Sequence, residues 1–236
     1  MNLILLFEHD FIEARRRVRL EGRRLRHLRE VHRAVPGDEL CVGEAGGLIG
    51  SGRIISLDRS AAEMEVHFER TPPAPLPVTL ILALPRPKFL RRVLFSASAL
   101  GIKRIFVLNS YRVEKSYWQS PFLKKEQIEK QIILGLEQAR DTIIPEVLLR
   151  PLFKPFMEDE LPEIMQGTLP LLADPHAGEP CPRGLSGPVT LAVGPEGGFI
   201  PYEAGKFLSA GFRAVSLGER ILNVESAVPA LLSRLF

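Results

Sequence analysis

VTLAVGPEGGFIPYEAGKFLSAGFRAVSLGERIL, residues 189 to 222, decides how this chain is read. The run Val189 to Val193 is short, apolar and β-branched, as a buried strand requires. It ends in Gly194-Pro195-Glu196-Gly197-Gly198-Phe199, where three glycines around one proline predict a tight loop whose backbone can come close to a ligand. Pro201 stands where a first helical residue is expected, with Glu203 in the first turn. Gly211 closes that helix, and Ala214 to Leu217 reads as a second strand stopped by Gly218. Two strand ends, each followed by glycine, make a wall suited to a flat ligand.

Working outward, the chain falls into two halves of different rhythm. Residues 1–70 read as β-rich, with strands at Asn2–Phe7, Arg17–Leu20, Glu39–Gly43, Leu48–Ser56 and Ala62–Phe68. Between the second and third lies Arg23 to Val35, where Leu25, Leu28, Val31 and Val35 form one apolar stripe. Arg23, Arg24, Arg26, Arg29 and Arg33 occupy the rest of the circumference, which predicts an amphipathic helix with a cationic face. Residues 71–77, Thr-Pro-Pro-Ala-Pro-Leu-Pro, cannot enter a sheet interior and read as a stiff linker. From 78 to 236 strands alternate with helices. The strands are Val78–Leu84, Arg104–Asn109, Glu146–Leu149, Thr168–Ala173 and the two in the opening stretch. The helices are Lys88–Leu100, Pro121–Arg140, Phe153–Leu161 and a last one from Ser226, since Pro229 belongs in a first turn. Such alternation defines an α/β domain with a largely parallel sheet, whose ligands sit beyond the carboxyl ends of the strands.

Composition excludes several classes. No apolar run approaches the length of a membrane helix, and Leu3 to Phe7 is too short for a signal segment. Cys41 and Cys181 stand far apart, and the five histidines show no ligand spacing, so neither a metal centre nor a disulfide framework is expected and a reducing cytoplasm is the expected location. The net charge is only +3, yet nine arginines lie between Arg15 and Arg33, and six basic residues with no acid between Arg86 and Arg104. These blocks point to a polyanionic partner, because the guanidinium fork suits phosphate.

GPEGGF, followed by LGERIL and a helix opening with Glu225-Ser226-Ala227, resembles the RsmE-type small-subunit rRNA methyltransferases of the SPOUT superfamily. The resemblance implies a knotted C-terminal α/β domain that binds S-adenosylmethionine, a PUA-like N-terminal β-barrel that docks on RNA, a homodimer, and methylation of a uridine at N3 in small-subunit (16S) rRNA. His27-Leu28, Val31, Arg33 and Pro36-Gly37-Asp38 fit the family pattern in the first half, as do Arg112 and Arg220 in the second. The implied cofactor site comprises Leu172, Ala173, Gly194, Glu196, Gly197, Gly198, Leu217, Gly218, Ile221 and Leu222. Arg220, Asn223 and Glu225 are the implied catalytic positions, and Arg23, Arg24, Arg26, His27, Arg33 and Arg112 the RNA contacts. Four family polar positions are altered here: Ser96 stands at a lysine, Ala99 at a glutamate, and Asp141 and Asn223 at arginines. Two readings follow, an rRNA methyltransferase and a catalytically altered paralogue that binds RNA or the ribosome. A Rossmann dehydrogenase is disfavoured, since no GxGxxG follows an early strand.

Overall fold

The computed structural model of the chain describes residues 2–13 and 15–236. It has two compact units, one running to Ala74 and including Ile133–Ile144, the other comprising Pro75–Ile132 and Pro145–Phe236.

In the first unit, β1 (Ile4–Leu6), β2 (Phe11–Glu13), β3 (Arg17–Leu20), β4 (Glu39–Glu44), β5 (Ile49–Leu57) and β6 (Ala62–Arg70) form one sheet. Its order is β1-β4-β5-β6-β3-β2, parallel only between β1 and β4. Alternation explains the core. Ala62, Met64 and Val66 of β6 point inward with Val18 and Leu20 of β3, Val42 of β4 and Ile54 of β5. Strand β2 escaped the sequence reading because its three residues carry no full period.

Helix α1 (Gly22–His27) is shorter than the predicted span. It passes into a single π-turn, Leu28–His32, and Arg33 at φ 52° ends it in the left-handed region. The wider turn rotates the following residues, so Leu25, Leu28 and Ala34 reach the core whereas Val31 and Val35 are 65% and 56% exposed. The predicted apolar stripe therefore stops at Leu28.

The segment 133–144, which the sequence reading keeps within 78–236, is stitched into this unit by hydrogen bonds. The Asn2 and Leu3 amides both donate to the Glu137 carbonyl at 3.0 Å, and the Gly46 amide donates to the Thr142 carbonyl at 2.8 Å.

The second unit contains β7 (Val78–Ala83), α2 (Pro87–Ala99), β8 (Arg104–Leu108), the first part of α3 (Lys125–Ala139) and β9 (Glu146–Arg150). After these come α4 (Phe153–Pro155), α5 (Leu161–Ile164), β10 (Leu169–Ala173), β11 (Val189–Val193), α6 (Pro201–Ser209), β12 (Arg213–Val215) and α7 (Val224–Leu235). Its sheet runs β12-β10-β11-β7-β8-β9 and every pairing is parallel. The register aligns Leu172, Ala192, Ile81, Phe106 and Leu148 in one row across five strands. That row packs with Phe156 and Leu161 below α5 and with Phe207 and Phe212 at α6. Neighbouring positions Leu80, Leu82, Leu191 and Val107 are buried on the other face, for which α2 and α7, packed on each other, supply apolar stripes. Strand β11 is central and fully buried.

Helix α7 starts at Val224, earlier than Pro229 was taken to permit. Asn223 is its N-cap, its Oδ1 accepting from the Ser226 amide at 2.9 Å. Pro229 thus sits in the second turn, where it withholds only the amide that would have reached the Glu225 carbonyl, and the buried side chains of Val228, Leu231, Leu232 and Leu235 hold the helix through it.

Candidate functional site

The loops after β10, β11 and β12, together with the start of α7, enclose a pocket at the carboxyl end of the parallel sheet. Each strand ends at its loop for a local reason. β11 stops where Gly194 lets the chain fold back so tightly that a Cβ there would meet the Phe199 amide nitrogen at 3.1 Å and Gly198 Cα at 3.2 Å. Gly198 at φ 71° and Gly218 at φ 113° lie in conformations that side-chain-bearing residues rarely adopt, and both line the pocket. The wall between them is apolar: Val193, Val215, Leu217, Ile221, Leu222, Val224, Ala227 and Leu231.

Polar groups are few and placed at the rim. Glu196 lines the pocket and its Oε1 accepts from the Arg86 amide at 2.9 Å, setting a carboxylate at the N-terminus of α2. Asp174, which follows Ala173, accepts the His176 amide at 2.9 Å, and its own amide donates to the Val215 carbonyl at 3.0 Å. Arg220 is exposed at the pocket edge and makes no hydrogen bond or ion pair among the described residues.

The structure therefore brings together Ala173, Gly194, Glu196, Gly198, Leu217, Gly218, Arg220, Ile221 and Leu222 around one space. Leu172 lies beneath it, in the core row. Gly197 faces away, its carbonyl accepting from Arg112 Nη1. Asn223 spends its side chain on the α7 cap. Glu225 is held by Arg92, both carboxylate oxygens 2.9 Å from Nη1, and lines a separate groove with Lys88, Arg91, Ser96 and Ser226. Asp141 is buried in the first unit, accepting the Ile143 amide at 2.9 Å, and Ala99 is half-buried at the end of α2.

Sequence reasoning gave no role to two side chains. Arg92 belongs to a basic block that suggested only a diffuse field. Glu203 is buried, with Oε1 accepting the Tyr111 amide at 2.7 Å and Oε2 the Ile200 amide at 3.1 Å. Its position three residues past the helix start was visible, but its second partner comes from 92 residues away.

The RNA candidates of the first unit divide. Arg23 is bonded to Glu137 and Arg24 to Asp10 through both nitrogens at 2.6 Å, so these two serve the fold. His27 is half-buried beside His32, with Nε2 unpartnered, and burial pushes its pKa below the ordinary value. It adds no charge at neutral pH. Arg26, Arg29 and Arg33 are exposed and unpaired. Among the described residues no group of His, Cys, Asp and Glu is placed to hold a metal ion, and no helix is long and apolar enough to cross a membrane.

A parallel sheet with its pocket at the strand ends, over left-handed glycines, defines the class: an α/β domain built for a flat, nucleoside-like ligand. The chain belongs to the RNA methyltransferase domain family, whose pattern matches residues 72–236. It is 28% identical over 240 residues to the Ribosomal RNA small subunit methyltransferase E of Treponema pallidum, covering 98% of this chain and 88% of that protein. The enzyme of the same name from a Synechocystis strain is 28% identical over 225 residues, covering 92% and 72%. In structure the chain resembles Ribosomal RNA small subunit methyltransferase E from Neisseria gonorrhoeae bound to S-adenosyl methionine, with a TM-score of 0.78 at 23% identity, covering 99% of this chain and 95% of the other.

Proposed function

We propose that this protein is an S-adenosylmethionine-dependent methyltransferase acting on uridine N3 in small-subunit rRNA, as a cytoplasmic homodimer whose N-terminal unit is a PUA-like RNA-docking module. The observation that carries the reading is the pocket itself, with its apolar wall and its two main-chain turns at Gly198 and Gly218. An adenosyl group needs apolar contact on both faces and main-chain donors and acceptors at its edge, and this lining offers both. Ala173, Leu217 and Leu222 would hold its adenine, with Glu196 near a ribose hydroxyl. When bound, this cofactor supplies an electrophilic methyl group on a sulfonium.

The chain's own task is alignment. Methyl transfer disperses positive charge rather than building an anion, so orienting nucleophile against methyl dominates, and effective molarities of about 10⁵ M are accessible in this way. Uridine N3 must also shed its proton, and the unpaired guanidinium of Arg220 at the pocket edge favours the resulting anion. The names of the relatives support rRNA as the substrate.

Calorimetry with S-adenosylmethionine, followed by methyl incorporation into small subunits lacking the modification, tests the reading. Binding with transfer to uridine supports it. Absence of cofactor binding removes it, and binding without any transfer leaves the RNA-binding paralogue in its place.

A further inference from the structure

A second cleft opens at the carboxyl ends of β8 and β9, against the start of α6, with a volume of about 610 Å³. Its lining is unlike a core. Tyr111 is 80% exposed and Tyr202 57%, although rings of that size are normally covered. Trp118 stands beside them, its indole N–H donating to Asn109 Oδ1 at 2.8 Å, which fixes the plane of the ring. Lys115 and Lys154 line the same space, the latter 3.9 Å from Glu158.

The walls are tied together. Glu203 accepts from the amides of Tyr111 and Ile200, locking the turn that carries one tyrosine to the helix that carries the other. Ser110 adds an independent sign of an absent partner. It is 3% exposed, lines the cleft, and its Oγ has no hydrogen-bond partner. A buried hydroxyl left unsatisfied is uncommon, and a ligand bearing donors and acceptors would satisfy it.

We propose that this cleft receives an unpaired base of a single-stranded RNA segment, with Tyr111, Trp118 and Tyr202 as stacking faces and Lys115 and Lys154 on the flanking phosphates. Aromatic faces interleaved with lysines are the pattern by which single strands are held, because every base has a flat face and every link a charge. A protein segment would not need this combination, and a duplex could not enter it, since its bases are already stacked. The site rests on the RNA-substrate reading above and deepens it. Its place also fits, because residues 194–200 have the cofactor pocket on one side and this cleft beyond their far end.

The chain has one tryptophan, so its fluorescence reports this cleft alone. Titrating the full-length protein with an oligouridylate about ten nucleotides long should quench Trp118 saturably. Tyr111→Ala and Tyr202→Ala should each weaken binding by about 5- to 150-fold, the range stacking of one base provides. Lys115→Ala should weaken it and flatten its salt dependence. Cofactor affinity, measured by calorimetry on the same variants, should stay within about twofold of the wild type, which also shows that they fold. Absence of quenching, equal quenching by a duplex of the same length, or unchanged affinity in the tyrosine variants overturns the proposal. Loss of cofactor binding in the wild type would instead strike the methyltransferase reading, and the quenching experiment would still decide the cleft.

Discussion

Arg23 and Glu137 share a double hydrogen bond, Nη1 to Oε2 at 2.8 Å and Nη2 to Oε1 at 3.0 Å, between residues 114 apart in the chain. Glu137 is 1% exposed and Arg23 42%. A buried carboxylate is tolerable only with such a partner, so this arginine, which the charge pattern assigned to a nucleic acid, is committed to holding 133–144 in the first unit. Arg23→Ala should therefore destabilise the protein by about 1–3 kcal/mol. Urea denaturation measures it, and a change below about 0.5 kcal/mol would mean that water replaces the guanidinium at no cost.

Binding of RNA through the first unit should fall instead on Arg26, Arg29 and Arg33. Replacing these three by alanine is expected to flatten the slope of log affinity against log salt by about two units, with stability unchanged. Filter binding across a salt series reads the slope. A slope equal to that of the wild type would assign these side chains to solvent.

The two adjacent glycines of the 194–199 loop should respond differently. Gly198→Val forces a β-branched residue into φ 71° and places its methyls in the cofactor pocket, so S-adenosylmethionine binding should disappear in calorimetry. A Cβ at Gly197 would meet only the Arg112 side chain, Cδ at 3.0 Å, and that flexible chain can move. Gly197→Ala should keep the cofactor affinity within about threefold.

Asn223→Ala should cost about 1 kcal/mol through loss of the α7 cap, whereas Asn223→Asp retains the acceptor and should be neutral or better. Thermal unfolding of the pair tests this. If instead both variants lost methyl transfer with stability intact, Asn223 would have a role in the chemistry that its cap geometry does not reveal.

His27 sets a pH dependence. Its folded pKa lies below the unfolded value of 6.5 because burial disfavours the imidazolium, with His32 and Arg23 adding repulsion. Above 6.5 both states are neutral and the stability is intact. As pH falls through that value the unfolded chain takes up the proton first, so stability is lost on acidification. A melting temperature followed from pH about 7.5 to about 5.5 should decline, and His27→Gln should flatten the decline.

Much of the second unit was legible because its strands are short apolar runs between glycines, and parallel strands buried on both faces carry that signature whatever their neighbours are. The pocket loops were legible for the same reason: Gly194, Gly198 and Gly218 are where the backbone departs from what other residues allow. Partnerships across the chain were not legible. Nothing in Glu203 announces the Tyr111 amide, and nothing in Glu225 announces Arg92, because long-range ion pairs leave no period in the sequence. Val31 and Val35 misled for a different reason, since helical spacing holds only while the turn keeps its width, and one π-turn moved both to solvent.

The segment from Gly194 to Ile200 is a partition rather than a lining. Three restraints hold it, the Glu196 carboxylate on the Arg86 amide, the Gly197 carbonyl under Arg112, and the Ile200 amide on Glu203. Occupants of its two sides must therefore feel one another through a single length of main chain. Thermodynamic linkage makes that influence mutual: whatever factor one occupant applies to the affinity of the other is returned unchanged.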